Sequence, residues 1–179
     1  IINDIEILDY STTNAYNSIL YKYSKPIIKN TNNDKSYLNL KQVRHPIIEI
    51  INEDIKYVAN DIELGNEQNG VLLYGINSAG KSSFMKSIGL SIIMAQSGMF
   101  VPCSEMIYYP YNKIYSRIPG GDDIFKGKST FVSEISEIRN IFKSADDKTL
   151  IIGDELCSGT ETISAISIVC AGIIDLIKK

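Results

Sequence analysis

The chain has 179 residues, a hydrophobic fraction of 44%, a charged fraction of 22% and a formal net charge of −3. This length and composition are typical of a globular protein with a sizeable core, and the net charge gives no overall attraction to DNA or to an anionic membrane. No apolar stretch approaches the roughly 18 residues of a spanning helix, and three distant cysteines with one histidine offer almost no ligands for a structural zinc ion.

The N-terminal segment predicts a helix, because its apolar residues are spaced to share one face: Ile5, Leu8, Ala15, Ile19 and Leu20. Pro26 and the polar run 29–36 interrupt this pattern and predict a loop or connector. The segments 38–51 and 57–64 are rich in β-branched and aromatic residues and predict short strands.

From residue 71 onwards, the pattern predicts alternating strands and helices. The apolar run 71–74 predicts a short buried strand, and a helix is expected to begin near Lys81. Further elements are predicted in chain order: two or three short strands in 99–118, an amphipathic helix in 129–145, a buried strand in 149–155 and a closing helix in 161–179. This alternation predicts an α/β fold with a largely parallel sheet.

The segment 75–82 has the pattern Gly-x-x-x-x-Gly-Lys-Ser, which is that of a phosphate-binding loop. Glycines at both ends allow backbone N–H groups to point inward at phosphates, and the following helix adds its positive N-terminal end. Lys81 is expected to reach the β and γ phosphates, and the Ser82 hydroxyl to coordinate Mg²⁺. We therefore predict an ATP site formed by Gly75, Ile76, Asn77, Ser78, Ala79, Gly80, Lys81, Ser82 and Ser83.

Two acids end the apolar segment 149–155. Asp154 at the end of a strand is expected to hold the Mg²⁺ of a bound nucleotide. Glu155 is expected to orient and deprotonate the attacking water, work that is typically worth about 10²–10⁴-fold in rate. A kinase has less reason to carry this pair, so ATP hydrolysis is the predicted reaction.

The motifs together resemble the ATPase domain of the MutS family, the mismatch-repair ATPases of the ABC superfamily. The phosphate loop is followed by AQSGMFVPC (95–103), SRIPGGDDIFKGKSTFVSEISEIRNIF (116–142) and LIIGDELCSGTE (150–161), in the order and at the spacing of that domain. Upstream, 44–49 and 57–64 resemble the segment that leads into it, and 5–26 resembles the end of the helical lever that joins the ATPase to the DNA clamp.

The resemblance implies further site residues. Tyr57 falls where the family stacks an aromatic ring on adenine, although a plain core tyrosine is the competing interpretation. Ser129 matches the serine that the family offers in trans to the γ-phosphate of the other subunit, and it also fits an N-cap ahead of Glu134. The segment 158–160 corresponds to a loop that crosses the dimer interface, and Gln96 lies near the link between site and interface. His45 is expected to be structural.

Departures from the family pattern are confined to short segments. INSAGKSS stands where the family usually has PNMGGKST, so Ala79 replaces a glycine and Ser83 a threonine. ELCSGTETISA replaces EIGRGTSTYDG and removes an arginine. Both changes resemble the divergent branch of giant viruses and octocoral mitochondria. The expected γ-phosphate-sensing histidine and dimerising helices would lie beyond residue 179, and Ile1 in place of Met also indicates a piece of a longer protein.

The resemblance implies a P-loop NTPase fold of the ABC type. It divides the chain into the end of a helical lever (1–28), a connector (29–40) and the ATPase domain (41–179). The expected function is a DNA-dependent ATPase, with ATP and Mg²⁺, that switches a dimeric clamp in mismatch repair. DNA would bind through domains outside this chain, with no membrane partner. The expected location is soluble and intracellular: a viral factory, the host cytoplasm, the nucleus or a mitochondrion.

Two alternatives remain open from the sequence. One is a MutS relative that clamps branched or recombining DNA without reading mismatches, since no mismatch-reading domain is within the chain. The other is a different ABC-type ATPase, such as a chromosome-organising or transporter subunit. Those proteins carry a Leu-Ser-Gly-Gly-Gln type of signature, whereas this chain has GKSTF at residues 127–131.

Overall fold

The computed structural model describes residues 2–29, 35–51, 56–118, 129–157 and 161–178. The chain divides into two compact units, Ile1–Pro110 and Tyr111–Lys179, each with its own β-sheet. Helices and strands occur in both units, which confirms the predicted mixture of α and β structure. The predicted domain boundaries near residues 28 and 40 stay predictions. Within the described ranges, no helix is long and apolar enough to cross a membrane.

The first unit contains a mixed sheet. Its described elements are, in chain order, α1 (Ile2–Tyr21), β1 (Ile27–Ile28), β2 (Tyr37–Val43), α2 (Ile48–Ile51), β3 (Asn60–Leu64), α3 (Lys81–Gln96) and β4 (Glu105–Tyr109). The strand order is β1-β4-β2-β3. Strand β1 is parallel to β4, whereas β2 is antiparallel to both β4 and β3.

A β-bulge sets which side chains of β2 enter the core. Leu38 and Leu40 are fully buried, and the register with β3 shifts between Leu40 and Val43. At the bulge Gln42 has a positive φ of 50°, and its backbone N–H donates to the Asp61 carboxylate at 2.7 Å. Because the extra residue resets the alternation, Val43 is buried on the same side as the two leucines.

Helix α3 covers this sheet with a narrow apolar face. Its buried positions recur at helical spacing and include small polar residues: Ser87, Ile88, Gly89, Ser91, Ile92 and Ala95. The buried apolar side chains of β4, Met106 and Tyr108, belong to the same core, and the Tyr108 hydroxyl donates to the Ala95 carbonyl. This packing holds the helix whose first residue is Lys81.

Helix α1 is present as predicted, but its expected apolar face is exposed and the helix has no buried residue. Side-chain hydrogen bonds join it to the segment that follows α3. The Tyr10 hydroxyl donates to the Ser97 carbonyl at 2.7 Å, and the Asn14 amide donates to Gly98 and accepts from the Phe100 N–H. The apolar pattern therefore predicted the helix correctly, and the face that it defines is exposed in this structure.

The second unit contains a parallel strand pair bridged by a helix. Its described elements are β5 (Lys113–Arg117), α4 (Ser129–Ser144), β6 (Thr149–Gly153) and α5 (Thr162–Ile177). Strands β5 and β6 pair in parallel from Lys113–Thr149 to Arg117–Gly153. Leu150, Ile152 and the α4 residue Ile138 are buried. This strand–helix–strand order is that of a crossover unit.

Three secondary-structure predictions are wrong. Residues 71–74 form no strand, and Val71, Leu72 and Tyr74 have exposed side chains, because an apolar run forms a strand only where it finds a ladder partner. Of the short strands predicted in 38–51, β2 is present, but 48–51 is the helix α2. The sheet is not largely parallel, because β2 pairs with both neighbours in the antiparallel sense.

Candidate functional site

The phosphate loop lies in the first unit and is exposed from Gly75 to Gly80. Gly80 has a left-handed φ of 90°, and Ser78 has a φ of 65°, which is uncommon for a residue with a side chain. The Ala79 N–H donates to the Ile76 carbonyl at 3.3 Å and closes a tight turn. Ala79, which replaces a glycine of the family pattern, is not among the described residues with positive φ, so the replacement brings no backbone strain.

The Lys81 side chain folds back onto this loop and places its ammonium group there. Its Nζ donates to the carbonyls of Gly75 and Ile76, at 2.8 Å in both cases. Lysine is the first residue of α3, and its partners lie only five and six residues earlier in the chain. Both of these acceptors are neutral carbonyl groups, so these two hydrogen bonds do not neutralise the positive charge of the ammonium. A positive charge in this position suits an anionic ligand.

The N-terminal end of α3 carries no side-chain cap. Gly80 occupies the N-cap position without a capping hydrogen bond, and the helical ladder begins where the Phe84 N–H donates to Gly80. The first N–H groups of a helix lack intrahelical partners and carry partial positive charge. Asn77 is exposed beside this end, and Ser82 and Ser83 are half-buried in the first turn. These residues fit a phosphate group.

Tyr57 lies against α3 rather than in open solvent. Its side chain is half-buried, and burial raises the pKa of its hydroxyl, while a hydrogen bond with Ser87 lowers it in part. Ser87 itself donates to the Phe84 carbonyl at 2.7 Å. Tyr57 is therefore tied to the helix that begins at the phosphate loop, and its role toward adenine stays a prediction.

The acid turn, residues 154–157, follows β6 in the second unit. The Asp154 N–H donates to the Arg117 carbonyl at 2.9 Å and so extends the β5–β6 pairing by one residue. Asp154 is half-buried and Glu155 is exposed. Glu155 and Cys157 have positive φ values of 47° and 63°. Such conformations are costly in residues with side chains and cluster at functional sites.

Two residues that the sequence reasoning did not assign to the site support this turn. Glu134, on α4, is only 8% exposed and accepts a hydrogen bond from the Cys157 N–H at 3.1 Å. Arg117, at the end of β5, lies 3.7 Å from the same Glu134 oxygen. The sequence pattern places Glu134 only in a helix cap, but its described hydrogen bond goes to the acid turn. Glu134 lies four residues before Ile138, and an acidic residue on the apolar face of an amphipathic helix is the sequence signal that could have identified it.

Other predicted residues are placed only in part. Ser129 is the first residue of α4, but its side chain and residues 127–128 lie outside what the structure describes. Residues 158–160 also lie outside the described ranges. Gln96 is exposed at the end of α3.

His45 has a structural position, in line with the expectation. It is 6% exposed, and its Nδ1 accepts from the N–H groups of Ile47 and Ile48, both at 3.3 Å, so it caps α2. Burial and the nearby charge of Lys86 lower its pKa. Its neighbour Arg44 pairs with Glu49 at 3.0 Å and donates to two carbonyls at the end of α1.

Among the described residues, no group of three or more histidine, cysteine, aspartate or glutamate side chains could hold a metal ion. A Mg²⁺ ion bound with a nucleotide needs fewer protein ligands, because phosphates and waters supply most of its oxygens. The Ser82 hydroxyl and the Asp154 carboxylate are oxygen ligands of the type that Mg²⁺ prefers.

Comparison with known proteins identifies the family. Residues 71–179 match the model of MutS domain V. A DNA mismatch repair mutS homologue of Acanthamoeba polyphaga mimivirus is 38% identical over 94% of this chain and 18% of its own length. The mitochondrial DNA mismatch repair mutS homologue of Sarcophyton glaucum is 36% identical over 99% of this chain and 18% of its own length.

The DNA mismatch repair protein MutS of Caldicellulosiruptor saccharolyticus is 44% identical over 93% of this chain and 19% of its own length. The chain thus spans about a fifth of the length of the curated relatives it matches. Since the domain V match covers more than half of the residues, this chain belongs to the MutS family.

Proposed function

We propose that this chain is the ATP-binding and ATP-hydrolysing part of a MutS-like DNA mismatch-repair protein. The observation that carries the proposal is the position of Lys81. Its ammonium group donates hydrogen bonds to two loop carbonyls at the start of α3, which has no side-chain cap. A helix start with exposed N–H groups and an adjacent lysine is suited to a polyphosphate. The P-loop fold of the ABC type and the ATP ligand are parts of this proposal.

The chemistry follows from the residues of the two segments. Backbone N–H groups of 75–80 and the Lys81 ammonium bind the phosphates, and Ser82 and Asp154 hold Mg²⁺. The ion, when bound, neutralises phosphate charge during phosphoryl transfer. Glu155 accepts the proton of the attacking water. Its exposure and its left-handed backbone support this assignment, since a base must reach its substrate and strained residues cluster at functional sites.

Dimerisation and DNA binding belong to the whole protein. In the proposed dimer Ser129 of one subunit contacts the γ-phosphate held by the other, and ATP switches a clamp on DNA. DNA binds through parts of the protein outside this chain, consistent with the net charge of −3. The names of the relatives support mismatch repair over a different ABC-type ATPase. The mimiviral and Sarcophyton relatives support the divergent branch and an intracellular location.

The decisive experiment uses the full-length protein and Glu155→Gln. Glutamine keeps the shape of the side chain and removes the base, so ATP binding should persist while hydrolysis falls by about 10²–10⁴-fold. Equilibrium ATP binding and steady-state hydrolysis are measured with and without duplex DNA carrying a mismatch. Glu67→Gln, at an exposed position, is the matched control and should hydrolyse ATP normally.

Two results would contradict the proposal. A wild-type protein that neither binds nor hydrolyses ATP rejects the function itself. Normal turnover by Glu155→Gln rejects Glu155 as the base while leaving ATP binding in place.

A further inference from the structure

Glu134 links helix α4 to the acid turn through a side-chain bond. Its Oε1 accepts the Cys157 N–H at 3.1 Å, and the two residues are 23 positions apart in the chain. Both are buried, with exposed fractions of 8% and 0%. A hydrogen bond between a carboxylate and a backbone N–H is stronger than one between neutral groups, and burial shields it from water.

This hydrogen bond stabilises a turn whose backbone conformation is unfavourable for two of its residues. Glu155 and Cys157 both have left-handed backbone conformations, although neither is glycine. Residues with side chains keep such conformations only where surrounding contacts enforce them. On the far side of the turn, Leu156 packs against Gly153, where an added Cβ would lie 2.8 Å from a Leu156 methyl carbon. The turn is thus held by Glu134 at one end and by packing at the other.

Arg117 completes the support. Its carbonyl accepts the Asp154 N–H at 2.9 Å, so its backbone holds the start of the acid turn. Its guanidinium lies 3.7 Å from the Glu134 oxygen and 3.5 Å from Glu137. The carboxylate of Glu134 therefore remains paired in a buried place where an isolated charge would be costly.

We propose that Glu134 is a positioning residue for ATP hydrolysis, which holds the acid turn in the conformation that presents Glu155. This inference rests on the proposed function. Glu134 does not touch the reacting atoms; it acts through the Cys157 N–H. Because α4 begins at Ser129, the same bond also connects the segment assigned to the partner's nucleotide with the turn that carries the base.

The test compares Glu134→Gln with Glu134→Met in the full-length protein. Glutamine keeps an acceptor oxygen for the Cys157 N–H, whereas methionine keeps only the volume. We expect Glu134→Met to lower kcat by about 10²-fold, the usual cost of misplacing a catalytic group, with the KM for ATP unchanged. Glu134→Gln should retain most of the turnover. Glu137→Met, which removes the other acidic neighbour of Arg117, is the matched control and should behave as wild type.

A second readout follows the bond itself. Hydrogen exchange at the Cys157 N–H should be slow in the wild type and in Glu134→Gln and fast in Glu134→Met. If Glu134→Met does not fold, the test depends on Glu134→Gln. Slow exchange at the Cys157 N–H together with a retained kcat supports the positioning role of Glu134. Fast exchange or a kcat as low as that of Glu155→Gln overturns it.

The remaining outcomes separate this inference from the proposed function. If the wild type hydrolyses ATP and Glu155→Gln does not, the function stands, and normal turnover in a folded Glu134→Met overturns the inference alone. An equal loss of kcat in Glu134→Gln and Glu134→Met also overturns it. That result would show that the negative charge beside Arg117 matters, rather than the hydrogen bond to the Cys157 N–H. An inactive wild type rejects the function and the inference together.

Discussion

The phosphate loop and the acid turn both contain strained residues, but they are supported in opposite ways. In the loop, Ser78 has a positive φ, and the described hydrogen bonds join residues at most six positions apart. In the turn, Glu155 and Cys157 have positive φ values, and the support comes from Glu134 on α4 and Arg117 on β5. The loop is locally organised, whereas the turn depends on tertiary structure.

The glycines of the two segments show the same difference. Gly80 has a φ of 90° and nothing within 4 Å of an added Cβ, so the backbone conformation alone requires glycine. Gly153 has no positive φ, but an added Cβ would meet the Leu156 side chain. One glycine satisfies a local turn and the other makes room for a neighbour. Substitutions in the loop should therefore act on ligand binding, and substitutions around the turn on turnover.

Lys81→Ala should have the largest effect on ATP affinity. Removing the ammonium leaves the loop without its charge, so ATP affinity should fall by about 10²-fold, the scale of a lost charge-assisted hydrogen bond. Equilibrium nucleotide binding in the full-length protein measures it. Lys86→Ala, five residues along α3 at an exposed position, is the control and should bind ATP normally.

A second arm of that experiment examines Ser129. Subunits with Lys81→Ala are mixed with subunits carrying Ser129→Ala, so that a heterodimer retains one site with both an intact loop and an intact signature serine. Recovered hydrolysis in the mixture supports action in trans. Absence of complementation contradicts it, and unchanged ATP affinity of Lys81→Ala contradicts the assignment of the loop.

Gly153→Ala should have the next largest effect. The new methyl group displaces the Leu156 side chain within the acid turn, so we expect kcat to fall by up to about 10-fold, since small misplacements of catalytic groups are costly. ATP affinity should stay near the wild-type value. Gly70→Ala, where nothing lies within 4 Å of an added Cβ, should leave hydrolysis unchanged. If Gly153→Ala lowered ATP affinity but not kcat, the acid turn would act on binding rather than on turnover, contrary to the expectation.

Protonation of His45 should lower stability without acting on either segment. Its folded pKa lies below the ordinary 6.5, so the unfolded chain binds the proton more readily and stability falls as the pH drops below about 6.5. The cost is that of a lost helix cap, about 1 kcal/mol. Thermal unfolding at pH 7.5 and 5.5 measures it. His45→Asn, which keeps an acceptor that does not titrate, should reduce the difference.

Ser78→Gly should have the smallest effect. Glycine removes the strain of a left-handed serine but adds freedom to the unfolded chain, so the two changes largely offset and stability should rise by less than about 1 kcal/mol. Denaturant unfolding provides the measurement. Ser83→Gly, in the first turn of α3, should instead destabilise. Equal losses in both variants would show that the loop needs a side chain at position 78.

Sequence patterns predicted most helices and strands correctly, because those depend on periodicity and on neighbours within one or two turns. The helices α3, α4 and α5 and the strand β6 lie where the pattern indicated. The apolar run 71–74 has the composition of a strand without being one, since composition does not identify a pairing partner. The antiparallel pairings of β2 could not be predicted for the same reason.

By itself the sequence determined the Gly-x-x-x-x-Gly-Lys-Ser pattern of residues 75–82, the helix that follows it and the acid pair after an apolar strand, since each depends on residues adjacent in the chain. Its motifs also determined the family, which the match to domain V confirms. Only the tertiary structure decided that Glu134 and Arg117 support the acid turn and that Arg44 joins α1 to the sheet. These contacts join residues about twenty or more positions apart, and no spacing rule specifies which distant side chain meets which backbone group.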